Sequence, residues 1–293
     1  MVNKNVYICS MPRSGSTLLG LILNNNSNVE HLGESPYWHK LNPSNVICSC
    51  GNYNCEFLND VYKKAIKSSN ILALLEACQI IELIEEPNKI PHPLSLKSNN
   101  IKKLDNLNEK ILLSCKGLNE LSDLFRYKTG KEVTVDNTKY INFAEVLIDM
   151  DWLILLLFRD PRGILNSMKN SGIRKSVPRN IEFKIPILER FSNRAIKLIK
   201  RKNVLPIRYE DLCQNSFDTI KLICSFIGVN FEDNMLKFNS NKGHILFGNR
   251  MIRNNEDHIK EDNSWKYELS KEEKKMIEIS NLYNLYQQFG YIF

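Results

Sequence analysis

Arg13-Ser-Gly-Ser-Thr17 places a guanidinium, three hydroxyls and a glycine within five residues. These are the side-chain donors an anion site needs. Val6 to Cys9 is short, apolar and β-branched and predicts a buried strand, which Pro12 ends. Leu18 to Leu23 is apolar again and predicts a helix packed on a sheet. A strand, a small-residue loop and a helix N-terminus bring unpaired backbone N–H groups and the positive end of a helix dipole to one place. An ordinary turn with a hydroxyl N-cap fits the same residues. The phosphate-loop pattern G-x-x-x-x-G-K-[ST] is absent, because Ser16 and Thr17 follow Gly15 with no Lys. A nucleoside triphosphatase is therefore not the natural assignment.

A second cationic turn follows the apolar run Trp152 to Phe158, which predicts a central parallel strand covered on both faces. Its Arg159-Asp-Pro-Arg-Gly163 offers a planar fork for a phosphate, with Ser167 about two turns further on. Asp160 either restrains Arg162 or caps the helix. Glu132 to Val135 predicts another strand, and Lys139 after Asp136-Asn-Thr is either an anion contact or a solvated turn residue. Glu34, after Gly33, is either an exposed carboxylate without a role or a base beside the first loop.

The elements that must position these residues read as βα units, with strands near residues 6, 133, 154 and 205. That predicts a mostly parallel, three-layer α/β domain. Asn24 to Val29 reads as a loop. Helices are expected over Val61 to Glu86, Glu109 to Thr129, Phe183 to Lys202, Ser216 to Ile227 and Lys271 to Gln288. Pro206 suits an edge strand. No internal repeat or linker appears, so residues 1–293 read as a single domain with a helical excursion over about 35–130 that shapes one side of the site.

Of the 293 residues 43% are hydrophobic, enough for a full core, and the net charge is +7. That mild excess fits an anionic ligand, and the absence of a dense basic stripe argues against nucleic acid. The longest apolar run is too short to span a bilayer and the N-terminus lacks a secretory core, so the expectation is a soluble, cytoplasmic protein with no membrane partner. Cys9, Cys78, Cys115, Cys213 and Cys224 sit in apolar segments and read as buried thiols. Cys48, Cys50 and Cys55 form the one cluster, one ligand short of a structural zinc site. His39 is a possible fourth ligand; a loop packed through thiols and a local disulfide are the alternatives.

Pro12-Arg-Ser-Gly-Ser-Thr-Leu-Leu19 resembles the 5′-phosphosulfate loop of PAPS-dependent sulfotransferases, and Arg159-Asp-Pro-Arg-Gly with Asn166-Ser167 resembles their 3′-phosphate motif. Arg208-Tyr-Glu-Asp-Leu212 is similar to a third segment of that family, and the phosphate motifs stand in the family's order about 145 residues apart. Gly248-Asn249, Trp265 and Gln288-Phe-Gly-Tyr291 extend the likeness loosely, closer to the tyrosylprotein, carbohydrate-type and bacterial branches than to the cytosolic phenol type. The resemblance implies a P-loop-like fold and PAPS as sulfuryl donor, with PAP as product. It implies that Arg13, Ser14, Gly15, Ser16 and Thr17 cradle the phosphosulfate and that Arg159 and Ser167 hold the 3′-phosphate. Tyr209 would lie near the adenine. Gly248 and Asn249 belong to a loop in which Arg250 or Arg253 closes over the 3′-phosphate. Glu34 takes the position of the catalytic Glu of the tyrosylprotein branch, and Lys139 that of a contact to the transferring group. The acceptor would be a small molecule or saccharide carrying a hydroxyl or amine, no metal is required for the transfer, and a homodimer is possible. An ATP-dependent kinase and a PAP-binding protein without turnover are the rival readings.

Overall fold

The computed structural model describes residues 4–35, 47–75, 107–170, 180–237, 243–245 and 259–292. Five strands, β1 (Lys4–Ser10), β2 (Val29–Gly33), β3 (Val133–Lys139), β4 (Leu153–Phe158) and β5 (Val204–Arg208), form one sheet in the order β2-β3-β1-β4-β5. Every neighbouring pair is parallel, so all five carboxyl ends meet one rim.

Parallel strands need helical crossovers, and these cover both faces of the sheet. Val6 and Ile8 of β1 and Leu155 and Leu157 of β4 pack against α1 (Ser16–Asn24) and α8 (Ser216–Ile227). The alternate residues Tyr7, Cys9, Ile154, Leu156 and Phe158 face the opposite core. That side is built from α2 (Glu56–Ala65), α3 (Leu107–Thr129), α4 (Ile141–Leu147), α5 (Pro161–Asn170), α6 (Ile185–Leu198), α9 (Lys271–Ile279) and α10 (Leu282–Gln287). The short helix α7 (Tyr209–Gln214) follows β5 directly. The expected three-layer α/β fold is the one observed. Among the described residues, no helix is long and apolar enough to cross a membrane.

Three expectations change. The described residues form five strands rather than four, because Val29–Gly33 is a fully buried edge strand. Its polar residues hid it: Glu30 is buried on Lys131 at 2.7 Å, and His31 is buried against α1. The expected helix over Val61 to Glu86 starts earlier, at Glu56, ends at Ala65 and is followed by a separate helical stretch over 69–75. Residues 76–86 lie outside the described set. The last helix is two, broken at Ser280, whose extended backbone ends α9 while its hydroxyl donates to the Ile277 carbonyl at 2.6 Å. Pro206 does sit on an edge strand, opposite Leu156. Cys9, Cys115 and Cys224 are buried and not in disulfides, Cys213 is half-buried, and Cys78 lies outside the described residues.

His31 ties β2 to α1. A Cβ on Gly20 would stand 2.4 Å from the imidazole, so the ring occupies the space a side chain would need. Burial pushes the His31 pKa down to about 4, with Asn137 opposing and the Lys139 charge adding to the fall. The unfolded chain then binds a proton that the folded chain refuses. Stability is full above the ordinary His pKa near 6.5 and is lost as pH falls toward 4, by up to about 3 kcal/mol. Denaturant titrations between pH 7 and 4 should trace that loss, and His31→Gln should flatten it. Gly20→Ala should destabilise by about 1–3 kcal/mol through overpacking.

Candidate functional site

The first loop is shaped by backbone conformation before any side chain acts. Arg13 and Gly15 both have positive φ, 73° and 91°, which turns the chain sharply out of β1 and into α1. Gly15 is needed twice over. A Cβ there would stand 2.5 Å from Cδ2 of Tyr209, whose ring lies on the loop. Ser14, Ser16 and Thr17 are buried at the N-terminus of α1. Among the described residues, the Ser14 hydroxyl has no hydrogen-bond partner, nor does that of Ser10 at the end of β1. A buried hydroxyl without a partner costs stability, so it marks a place where a ligand's acceptors are expected.

Arg159, at the end of β4, reaches the same loop. Its Nη1 donates to the Arg13 carbonyl at 2.9 Å, and its Nη2 donates to the Asp262 carbonyl and carboxylate, both at 2.9 Å. The guanidinium lies over the Tyr209 ring, 4.6 Å from its centroid. Tyr209 in turn accepts from the Asp262 amide at 3.1 Å and donates to the Lys260 carbonyl at 3.3 Å. Arg13, Arg159 and Tyr209 therefore stand on one rim, with Arg159 in contact with both of the others. Asp262 is held below the usual carboxylate range: burial would raise it, but hydrogen bonds from Ser264 and Arg159 outweigh burial. Burial lowers the pKa of Arg13, Glu34 opposes this and Arg159 adds to it.

Asp160 does both things expected of it. Its carboxylate accepts from the Arg162 backbone at 2.8 Å and grips the Arg162 guanidinium, while its carbonyl accepts from Ile164 to start α5. Ser167 is half-buried further along α5, about 9 Å of helix rise from Pro161. Neighbouring Asn166 is bound to Glu268 at 2.8 Å.

On the other side of β1, Glu34 and Lys139 meet, with Nζ to Oε1 at 2.5 Å. Both side chains are mostly buried. Register shifts at the ends of the β1–β3 and β2–β3 ladders, together with positive φ at Gly33 and Lys139, turn the two chains so that these side chains converge. Beneath them, fully buried Asp136 accepts from the Ser35 hydroxyl and from the Thr138 amide, the latter at 2.8 Å, locking the strand ends together. Burial raises the Asp136 pKa despite these bonds.

Two acidic residues at the rim escape sequence reasoning. Asp136 reads as part of a polar turn, and nothing in the spacing ties Asp262 to Arg159. Gly248, Asn249, Arg250, Arg253 and His39 lie outside the described residues.

The architecture has known counterparts. The sulfotransferase domain of the Synechococcus PCC 7002 olefin synthase is similar over 100% of this chain and 96% of its own, with a TM-score of 0.57 and 16% identity. This chain has the sulfotransferase fold. The sulfotransferase domain from the curacin biosynthetic pathway is similar over 100% of this chain and 99% of its own, with a TM-score of 0.52 and 15% identity. Sulfotransferase STF1 from Mycobacterium tuberculosis H37Rv is similar over 86% and 76%, with a TM-score of 0.53 and 11% identity. No protein-family model matches the chain, and no curated protein matches it. At these identities the likeness establishes the sulfotransferase fold, and the chemistry rests on the site itself.

Gly15→Ala tests the loop. It must adopt a left-handed conformation and displace the Tyr209 ring, so a loss of about 2–4 kcal/mol is expected in equilibrium unfolding. Gly130→Ala also has a positive φ but no atom within 4 Å of its new Cβ, and should lose only about 1–2 kcal/mol.

Proposed function

We propose that this protein transfers a sulfuryl group from PAPS to a hydroxyl or amine of a small-molecule or saccharide acceptor. The observation that carries this reading is the hydrogen bond from Arg159 to the Arg13 carbonyl, which joins two arginine-bearing turns, 146 residues apart in sequence, at one rim. A bisphosphorylated nucleotide carrying sulfate needs several anion contacts on one face of the protein. The partnerless Ser14 hydroxyl, the α1 N-terminus and the Arg13 side chain fit a phosphosulfate. Arg159 and Ser167 on α5 are the candidates for the 3′-phosphate, and Tyr209, beside Arg159, for the adenine.

PAPS, when bound, supplies an activated sulfuryl group on a phosphate leaving group. The residues here would provide positioning and charge stabilisation, the main resources for in-line transfer of this kind. Arg13 and the amides at the start of α1 would stabilise charge on the leaving phosphate. Glu34 would accept the proton of the acceptor's hydroxyl, after the acceptor displaces part of its contact with Lys139. The freed Lys139 ammonium would then face the equatorial oxygens of the transferring group. Asp136 and Ser35 would act as positioning residues that keep Glu34 at the rim.

An ATP-dependent kinase is the rival. It lacks support in the first loop, where no Lys follows Gly15. Calorimetric titration should show PAP binding in the micromolar range or tighter and at least about tenfold stronger than ATP with magnesium. Arg13→Ala should weaken PAP binding by about tenfold or more. With labelled PAPS and an acceptor panel, Glu34→Gln should lower turnover by about 10²–10⁴-fold while PAP affinity stays within a few-fold. PAP binding without turnover on any acceptor would make the chain a nucleotide-binding protein, and ATP preferred over PAP would refute the sulfotransferase reading.

A further inference from the structure

The cysteine cluster lies apart from the rim and is a built site. Cys48-Ser-Cys-Gly-Asn-Tyr-Asn-Cys55 folds into a tight hairpin. The Gly51 amide donates to the Cys48 carbonyl at 2.9 Å, the Cys48 amide donates to the Asn52 carbonyl at 3.1 Å, and Ile47 pairs with Tyr53. Positive φ at Gly51 and Asn54 makes the reversal and brings Cys55 back beside Cys48, just before α2.

A fourth group arrives from far along the chain. It is the imidazole of His244, whose Nδ1 stands 3.3 Å from the Cys55 sulfur and 3.8 Å from the Cys48 sulfur. The ring is fixed by stacking on Phe57, 4.3 Å between centroids and 13° from parallel. Its backbone is fixed by Ser49, whose amide donates to the Ile245 carbonyl at 2.9 Å and whose hydroxyl donates to the Gly243 carbonyl at 3.1 Å. The three sulfurs and the imidazole nitrogen all lie within 4.8 Å of one another. A tetrahedral zinc with ordinary Zn–S and Zn–N bonds sets its ligand atoms about 3.6–3.8 Å apart.

We propose that Cys48, Cys50, Cys55 and His244 bind one structural zinc ion. Three soft thiolates with one imidazole are a preferred set for Zn²⁺, and four protein ligands leave no position open for substrate or water. A disulfide would use two of the sulfurs and leave the third, and the adjoining imidazole, unexplained. Cys48 and Cys55 are buried and Cys50 is exposed, so the ion can enter from the Cys50 side. The zinc would staple the chain at residue 244 to the hairpin at 48–55. Residue 244 lies six positions before Arg250, so the staple would fix the point from which the chain enters the segment carrying both arginine candidates for the 3′-phosphate. The proposal stands on this geometry and does not depend on the sulfotransferase reading.

The test uses the full chain purified in reducing buffer without chelator. Elemental analysis should find a single zinc per chain. Cys50→Ser and His244→Ala should each lower zinc affinity by about tenfold or more in competition with a chromophoric chelator. Cys224→Ser, outside the cluster, should leave it unchanged. Replacement by Co²⁺ in the wild-type chain should give the absorption of a tetrahedral thiolate site, a readout that does not require the variants to fold. Stripping zinc should lower the thermal midpoint and re-adding it should restore it. The proposal is overturned if the reduced wild-type chain, given equimolar zinc, retains none and shows no cobalt spectrum, or if the isolated protein carries a Cys48–Cys50, Cys48–Cys55 or Cys50–Cys55 disulfide and no metal.

Discussion

The left-handed turn at Gly15, pressed under the Tyr209 ring, is the constraint on which the rest of the rim depends. It turns the chain from β1 into α1 and leaves the Arg13 carbonyl where Arg159 can donate to it. Because Tyr209 begins the helix after β5 and Arg159 directly follows β4, three strands are tied at their carboxyl ends by one small contact. A bulkier residue at position 15 would separate them.

Electrostatics around the rim are balanced rather than uniformly positive. Arg159 is matched by Asp262, Lys139 by Glu34 and Arg162 by Asp160. Unpaired cations at this depth would be costly, and carboxylate partners relieve that cost. The pairings also keep side chains oriented before a ligand arrives, so less ordering entropy is lost on binding. The Glu34–Lys139 pair differs from the others because both groups are assigned roles toward the reacting atoms in the proposed chemistry. Asp136, bonded to Ser35 and Thr138 below them, fixes the backbone that carries both.

Much of this was legible in the chain. The β-branched run before Pro12 and the apolar run before Arg159 predicted β1 and β4, and the small residues from Ser14 to Thr17 predicted the intervening turn. Strand β2 was not legible, since Glu30 and His31 look solvent-facing until Lys131 and α1 supply the burial that accommodates them. Asp262 was hidden for a related reason: its partner is 103 residues away and no periodicity links them. The three cysteines were visible as a cluster, but nothing in the spacing pointed to the imidazole of His244, nearly two hundred positions on, that stands beside them.

Residue types and short spacings determined the local pieces: strand, turn, helix start, and which side chains could bind an anion. They did so because steric preference and hydrogen-bonding capacity act over a few residues. The sheet order, the convergence of Arg13 with Arg159 and of Glu34 with Lys139, and the meeting of His244 with three thiols were decided only by tertiary structure. Those contacts join residues more than a hundred positions apart, and the packing of the two cores selects them, which no local pattern encodes.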